Sequence, residues 1–182
     1  MVGITIGAGA AVFGYINGQA GASENLYGQN VAKNVNYLSE HFVIITTQFS
    51  HSGKSCQNVG GYCNQANVSI YNNGALDLTV TQITLVNIAS HTPGGASVPT
   101  ISLTSNATRT TVTGACVGSS PSGFSPSPAQ PVRQNAVPPT VFTVSLPSSC
   151  AANQGILVGA SYRIAVLGLY GNQVTTQVTA AG

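Results

Sequence analysis

Charge is what this sequence lacks most. Of 182 residues, 4% are Asp, Glu, Lys or Arg, against about 25% in an average soluble domain. The acids are Glu24, Glu40 and Asp77, and the bases are Lys33, Lys54, Arg109, Arg133 and Arg163. A cytoplasmic protein relies on charge to stay soluble and apart from its neighbours. Here 43% of the residues are apolar, an ordinary interior, so the surface is left to Ser, Thr, Asn, Gln and Gly. Such a surface is wet but nearly neutral. It can pack against copies of itself without stripping water from ions, which suits a secreted or self-assembled structural protein.

Other absences exclude other classes. The net charge is +2 with no basic run, so the electrostatic footprint of a nucleic-acid binder is missing. Acidic substrates and anionic lipids find little to attract them. Catalysis needs convergent titratable groups, and the sequence offers three acids with His41, His51 and His91. No Gly-x-Ser-x-Gly elbow is present, and the N-terminal Gly-Ala-Gly-Ala-Ala follows no strand, as a dinucleotide loop must. No C-x-x-C knuckle offers a zinc site. The expectation is a protein that is not an enzyme and holds no cofactor or metal.

The cysteines number four, Cys56, Cys63, Cys116 and Cys150. An even count in a chain of extracellular character reads as two disulfides with three connectivities open. The pairing expected is Cys56–Cys63 with Cys116–Cys150, because each encloses a Gly-, Pro- or Ser-rich loop with little else to order it.

Residues 1–23 carry no charge, and MVGITIGAGAAVFGYI is almost wholly apolar or small. A cleaved secretory signal has a basic n-region that is missing here, so the segment is expected to stay on the chain. A membrane span needs about 20 apolar residues, which this run reaches only if extended through Asn17 to Ala22. The reading that accounts for the glycines is a helix packed against identical helices. Glycines cost helix propensity in water, yet they let helix backbones approach closely. Val2, Ile4, Ile6, Val12, Phe13, Tyr15 and Ile16 are then the assembly residues.

Farther on, Val31, Val35, Leu38, Phe42, Ile45 and Phe49 recur at spacings of three and four, a one-face helical stripe. The β-branched residues of Phe42–Phe49 allow a strand to begin there instead. An unbroken helix to residue 48 would be roughly 70 Å long, too long for a globule of this size to cover. From residue 51 the pattern is β. Ala66–Tyr71 alternates into Asn72-Asn73-Gly74, a turn signal that favours positive φ. Leu76–Ile88, Ile101–Leu103, Thr110–Thr113, Val141–Leu146, Tyr162–Leu169 and Gln173–Val178 are further strands. Residues 117–139, rich in Pro and Ser, read as an exposed, extended loop. The class expected is α+β: a long N-terminal hydrophobic α-helix over residues 1–50, then an antiparallel Ig-like β-sandwich over residues 51–182. Two sequons, Asn67-Val68-Ser69 and Asn106-Ala107-Thr108, offer glycosylation at Asn67 and Asn106.

An apolar N-terminus that turns amphipathic, followed by an uncharged Thr/Ser/Asn-rich β domain, resembles the archaeal type IV pilins. NVSIYNNGALDLTVTQITLVN at Asn67–Asn87 is similar to their strand–turn–strand with its Asn-Gly turn, and the closing GASYRIAVLGLYGNQVTTQV to their last β-hairpin. The likeness covers nearly the whole layout and rests on no single diagnostic motif. It implies a short basic leader cut by a prepilin peptidase, residence in the membrane before assembly, and a homopolymer whose helices form the core and whose β domains form the sheath. Bacterial members carry a glutamate at the fifth mature position. Thr5 stands there if Met1 is the mature start, which favours the archaeal branch and removes the basis for salt-bridge-guided insertion. The expected function is thus a structural subunit of an extracellular, cell-surface pilus for adhesion. The alternatives are an archaellin of a motility filament, a membrane-tethered β-sandwich binding module, and a virion or surface-layer protein.

Overall fold

The computed structural model spans Met1–Gly182 and describes residues 29–89, 91, 93–95, 97–114, 116–126, 131–150 and 154–181. The chain divides after Leu38 into two units. Helix α1 occupies the described residues 29–39, and its apolar stripe is exposed: 54% for Val31, 53% for Val35 and 79% for Leu38.

The second unit, Ser39–Gly182, is built of strands β1 (Phe42–Ser50), β2 (Tyr62–Cys63), β3 (Gln65–Asn72), β4 (Val80–Asn87), β5 (Ile101–Asn106), β6 (Thr110–Gly114), β7 (Gly118–Ser120), β8 (Thr140–Ser145), β9 (Ile156–Leu157), β10 (Ser161–Gly168) and β11 (Gln173–Thr179). One sheet has the order β1-β3-β8, a second the order β11-β10-β4-β5-β6-β7, and β2 pairs with β9 as a small ribbon. All pairings between named strands are antiparallel. This is the strand order of an immunoglobulin-type sandwich, A-B-E in one sheet and G-F-C-C′-C″ in the other, with the short β7 added beyond β6. Alternation puts Val68, Ile70, Phe142 and Val144 of the first sheet and Ile83, Leu85, Leu103, Ile164 and Val166 of the second into one shared core. Phe49 meets Tyr162 at 5.8 Å between ring centroids, and Phe124 packs edge-on against Phe142 at 5.4 Å.

The expected α+β class, with its long N-terminal helix running to about residue 50, is corrected by this architecture. The fold is mostly β, α1 ends at residue 39, and Phe42–Ser50 is strand. Among the described residues no helix is long and apolar enough to cross a membrane. A bulge explains the misleading stripe. Residues seven apart on a regular strand face opposite sides, yet Phe42 and Phe49 are both buried, at 2% and 8% exposure. Pairing runs Ile44↔Ile70 and then Thr46↔Ser69, with Ile45 as the extra residue. That one-residue insertion flips the alternation and imitates a helical repeat. Five consecutive β-branched residues, Val43 to Thr47, hold the segment extended.

Two further expectations change. The Asn72-Asn73-Gly74 turn joins no hairpin, because β3 and β4 lie in different sheets, and neither Asn73 nor Gly74 takes a positive φ. Gly74 is needed for close approach instead: a Cβ there would lie 2.5 Å from Ser39 O and from His41 N. The Pro/Ser-rich segment is pinned and not simply exposed. Phe124 and Val132 are buried, Ser125 bridges Thr143 of β8, and Val132 bridges Leu78. The segment thereby covers backbone groups of a sheet edge that would otherwise stand open.

Candidate functional site

Residues 39–41 lead into β1 and are held from two sides. Ser39 O accepts from Ala75 N at 2.9 Å and His41 O from Asn73 N at 3.1 Å, while His41 Nδ1 and Asn73 Oδ1 are 2.7 Å apart. Asn72 makes that turn rigid. It is buried, donates Nδ2 to Leu76 O and Val132 O at 2.8 Å each, and accepts Gly74 N at 2.9 Å. On the other side the β10–β11 turn takes Glu40: its carbonyl accepts Asn172 Nδ2 at 2.7 Å and its Oε2 accepts Tyr170 N at 3.3 Å. Glu40 is 3% exposed, and its Oε1 has no hydrogen-bond partner.

The other end of β1 lies about 30 Å away, at the rise of a nine-residue strand. Both disulfides are at this end. Cys56 is bonded to Cys63 and Cys116 to Cys150, with Cα separations of 5.0 and 5.4 Å. A cavity of about 260 Å³ opens between them, lined by His51, Cys63, Asn64, Leu146, Pro147, Ser148, Cys150 and Gly155. His51 Nδ1 stands 3.1 Å from Tyr62 O. A carbonyl only accepts, so Nδ1 carries the proton of the neutral ring and Nε2 is left as an acceptor. Asn64 is locked to Ser52, accepting Ser52 N at 2.8 Å and donating Nδ2 to Ser52 Oγ at 3.1 Å. Among the described residues of this lining no carboxylate faces His51. Among the described residues no three His, Cys, Asp or Glu side chains are grouped to hold a metal ion.

The sequons differ in setting. Asn67 is half-buried on the middle strand β3 and accepts Thr143 Oγ1 at 2.8 Å. Asn106 is exposed at the end of β5, and its Oδ1 accepts Thr108 N, Thr108 Oγ1 and Arg109 N at 2.9, 3.1 and 2.8 Å. Val2, Ile4, Ile6, Val12, Phe13, Tyr15 and Ile16 lie outside the described residues. The outer face of the larger sheet is nearly neutral. Register aligns Thr175, Ala165, Thr84, Thr104, Thr111 and Ser119 in one row across its six strands. The Glu40 clamp and the His51 cavity were not apparent in the sequence. A lone buried-end acid and a single histidine carry no motif, and their partners are distant in the chain.

Over 98% of its length the chain is similar in fold to a chain from the archaeal flagellum of Methanospirillum hungatei strain JF1, with a TM-score of 0.52, 12% sequence identity and 88% of that chain covered. At that identity the likeness is one of fold. No protein-family model and no curated protein sequence matches the chain.

Proposed function

We propose that this chain is the repeating subunit of an extracellular, cell-surface filament of the archaeal kind, a homopolymer serving structure and adhesion and not an enzyme. The observation that carries the reading is the fold likeness over 98% of the chain to a chain of an archaeal flagellum. Supporting it are the nearly neutral sheet faces, which pack against copies of themselves at little desolvation cost, and two disulfides, which suit an oxidising exterior. Within this kind, we read an adhesion pilus in preference to a swimming archaellum, because both disulfides and a cavity are gathered at the end of the sandwich remote from Ser39–His41.

The test is to shear surface material from the source cells, image it by electron microscopy and identify the chain by mass spectrometry. Thin filaments made of this subunit are expected. Recovery of the chain only from the membrane fraction, monomeric in detergent, would overturn the filament reading in favour of a tethered binding module. Loss of swimming on deletion, with attachment unchanged, would move the assignment from pilus to archaellum.

A further inference from the structure

The cavity at the His51 end has the features of a binding site, and they point to one ligand chemistry. Its walls are preorganised. Cys63 and Cys150 belong to different disulfides, and both line it, so two loops that would otherwise move are fixed at the same place. Gly155 completes the wall: it is buried, and a Cβ there would collide with the Cys63 carbonyl. Leu146 N donates to Asn64 O and Asn64 N to Ser50 O, at 2.8 and 3.0 Å, which ties the two sides of the cavity together through backbone.

Among the described residues the lining holds no Asp, Glu, Lys or Arg. An ionised ligand buried there would lack a counter-charge, at a cost of several kcal/mol. What the lining does offer is hydrogen bonding of mixed sense. His51 Nε2 accepts, Ser148 Oγ both donates and accepts, and the second N–H of Asn64 Nδ2 remains after the bond to Ser52. Hydroxyl groups match that set because each donates and accepts. Leu146, Pro147 and the half-cystines supply apolar wall for the C–H face of a ring. At about 260 Å³ the space falls just below the roughly 300–1,000 Å³ of drug-sized sites, room for one ring. A metal is the poorer match. Among the described residues His51 is the single imidazole in the lining, and a closed site takes four protein ligands.

We propose that this cavity binds a neutral sugar residue, with His51, Asn64 and Ser148 contacting its hydroxyls. The proposal goes beyond the filament reading and does not depend on it, since the cavity lies within one copy of the chain.

The experiment is NMR titration of the full chain with a panel of methyl glycosides: neutral hexoses, pentoses, 6-deoxyhexoses and N-acetylhexosamines, with a uronic acid and an amino sugar as charged controls. At least one neutral glycoside is expected to give saturable shifts of the His51 ring signals, with a dissociation constant on the order of 1 mM, the scale that ligand efficiency sets for one ring. His51→Phe is expected to weaken binding by tenfold or more. Ser148→Ala, at an exposed position that threatens no folding, is expected to weaken it several-fold. The proposal is overturned if no neutral glycoside shifts the His51 signals, if both variants bind as the parent does, or if the charged controls bind equally well.

Discussion

The carboxylate of Glu40 fills the space where residue 168 would carry a side chain. A Cβ on Gly168 would lie 2.5 Å from Cδ and from both carboxylate oxygens. Entry into β1 and the end of β10 are therefore fitted to each other across most of the sequence. The fit has an energetic peculiarity. Glu40 is buried with Oε1 unpartnered, and buried polar atoms without partners cost about 1–3 kcal/mol. The residue thus contributes little net stability and acts mainly to fix where the chain enters the sandwich.

A double-mutant cycle tests that relationship. Gly168→Ala alone is expected to lower stability by about 2 kcal/mol, the scale of overpacking. In a Glu40→Ala background the space is vacant, and the same change is expected to cost less than about 0.5 kcal/mol. Urea unfolding of the four proteins measures the coupling. Additive losses would mean that Gly168 is required for a reason other than Glu40.

Tyr162 gives the fold an alkaline limit. Its ring is buried in the core against Phe49, and its hydroxyl accepts Leu157 N at 2.8 Å. Burial pushes the phenol from 10.0 up to about 12, against a smaller downward pull from the Leu157 N–H. Below pH 10 both folded and unfolded chains hold the proton and no slope arises. Between about 10 and 12 the unfolded chain releases it while the folded chain keeps it, so stability is expected to fall by roughly 1.4 kcal/mol per unit. Tyr162→Phe should remove that component of the slope while costing about 1–3 kcal/mol at neutral pH, because Leu157 N–H loses its acceptor. Denaturant midpoints of both proteins across this range decide it; parallel curves would refute the assignment.

How much of this was legible depended on whether the signal was local. The alternation of Ala66–Tyr71 and the closing strands around Gly171 were readable, because side-chain period and turn residues report directly on neighbours in sequence. Phe42–Phe49 misled because a bulge at Ile45 restores to one face two phenylalanines that regular pleating would separate. Asn73-Gly74 looked like a hairpin turn, but whether the next strand pairs or crosses to the other sheet is decided by the whole core. Phe124 was the overlooked clue in the Pro/Ser-rich segment: a lone aromatic there has little reason to stay in water. The His51 cavity had no local signal, since residues 51, 64, 147 and 155 meet only after folding.

The two disulfides are expected to contribute unequally. Cys116–Cys150 spans a sequence separation of 34 and Cys56–Cys63 one of 7. Loop-closure entropy in the unfolded chain gives about 4 kcal/mol for the first and more than about 2 kcal/mol for the second. The paired replacement Cys116→Ser with Cys150→Ser should therefore lower the denaturant midpoint farther, by about one and a half times, than Cys56→Ser with Cys63→Ser. Equal losses, or a larger one for the short loop, would place the stabilisation in native packing at the cavity end and not in chain entropy.

The two sequons are expected to behave differently in the native chain. At Asn106 the side-chain oxygen accepts Thr108 N, Thr108 Oγ1 and Arg109 N, which folds the Asn-Ala-Thr segment into a compact turn at an exposed strand end. At Asn67 the side chain is half-buried in the middle of three strands and tied to Thr143, so a glycan there would have to grow from the centre of a sheet face and break that hydrogen bond's setting. Peptide mass spectrometry of chain from its source should find the glycan on Asn106 and none on Asn67. Thr108→Val, which removes the sequon while keeping Asn106, should return that peptide to its unmodified mass. A bare Asn106 or an occupied Asn67 would contradict the prediction. An occupied Asn106 would also lie at one margin of the Thr84–Thr104–Thr111 row, which leaves most of that neutral face open for contact between copies.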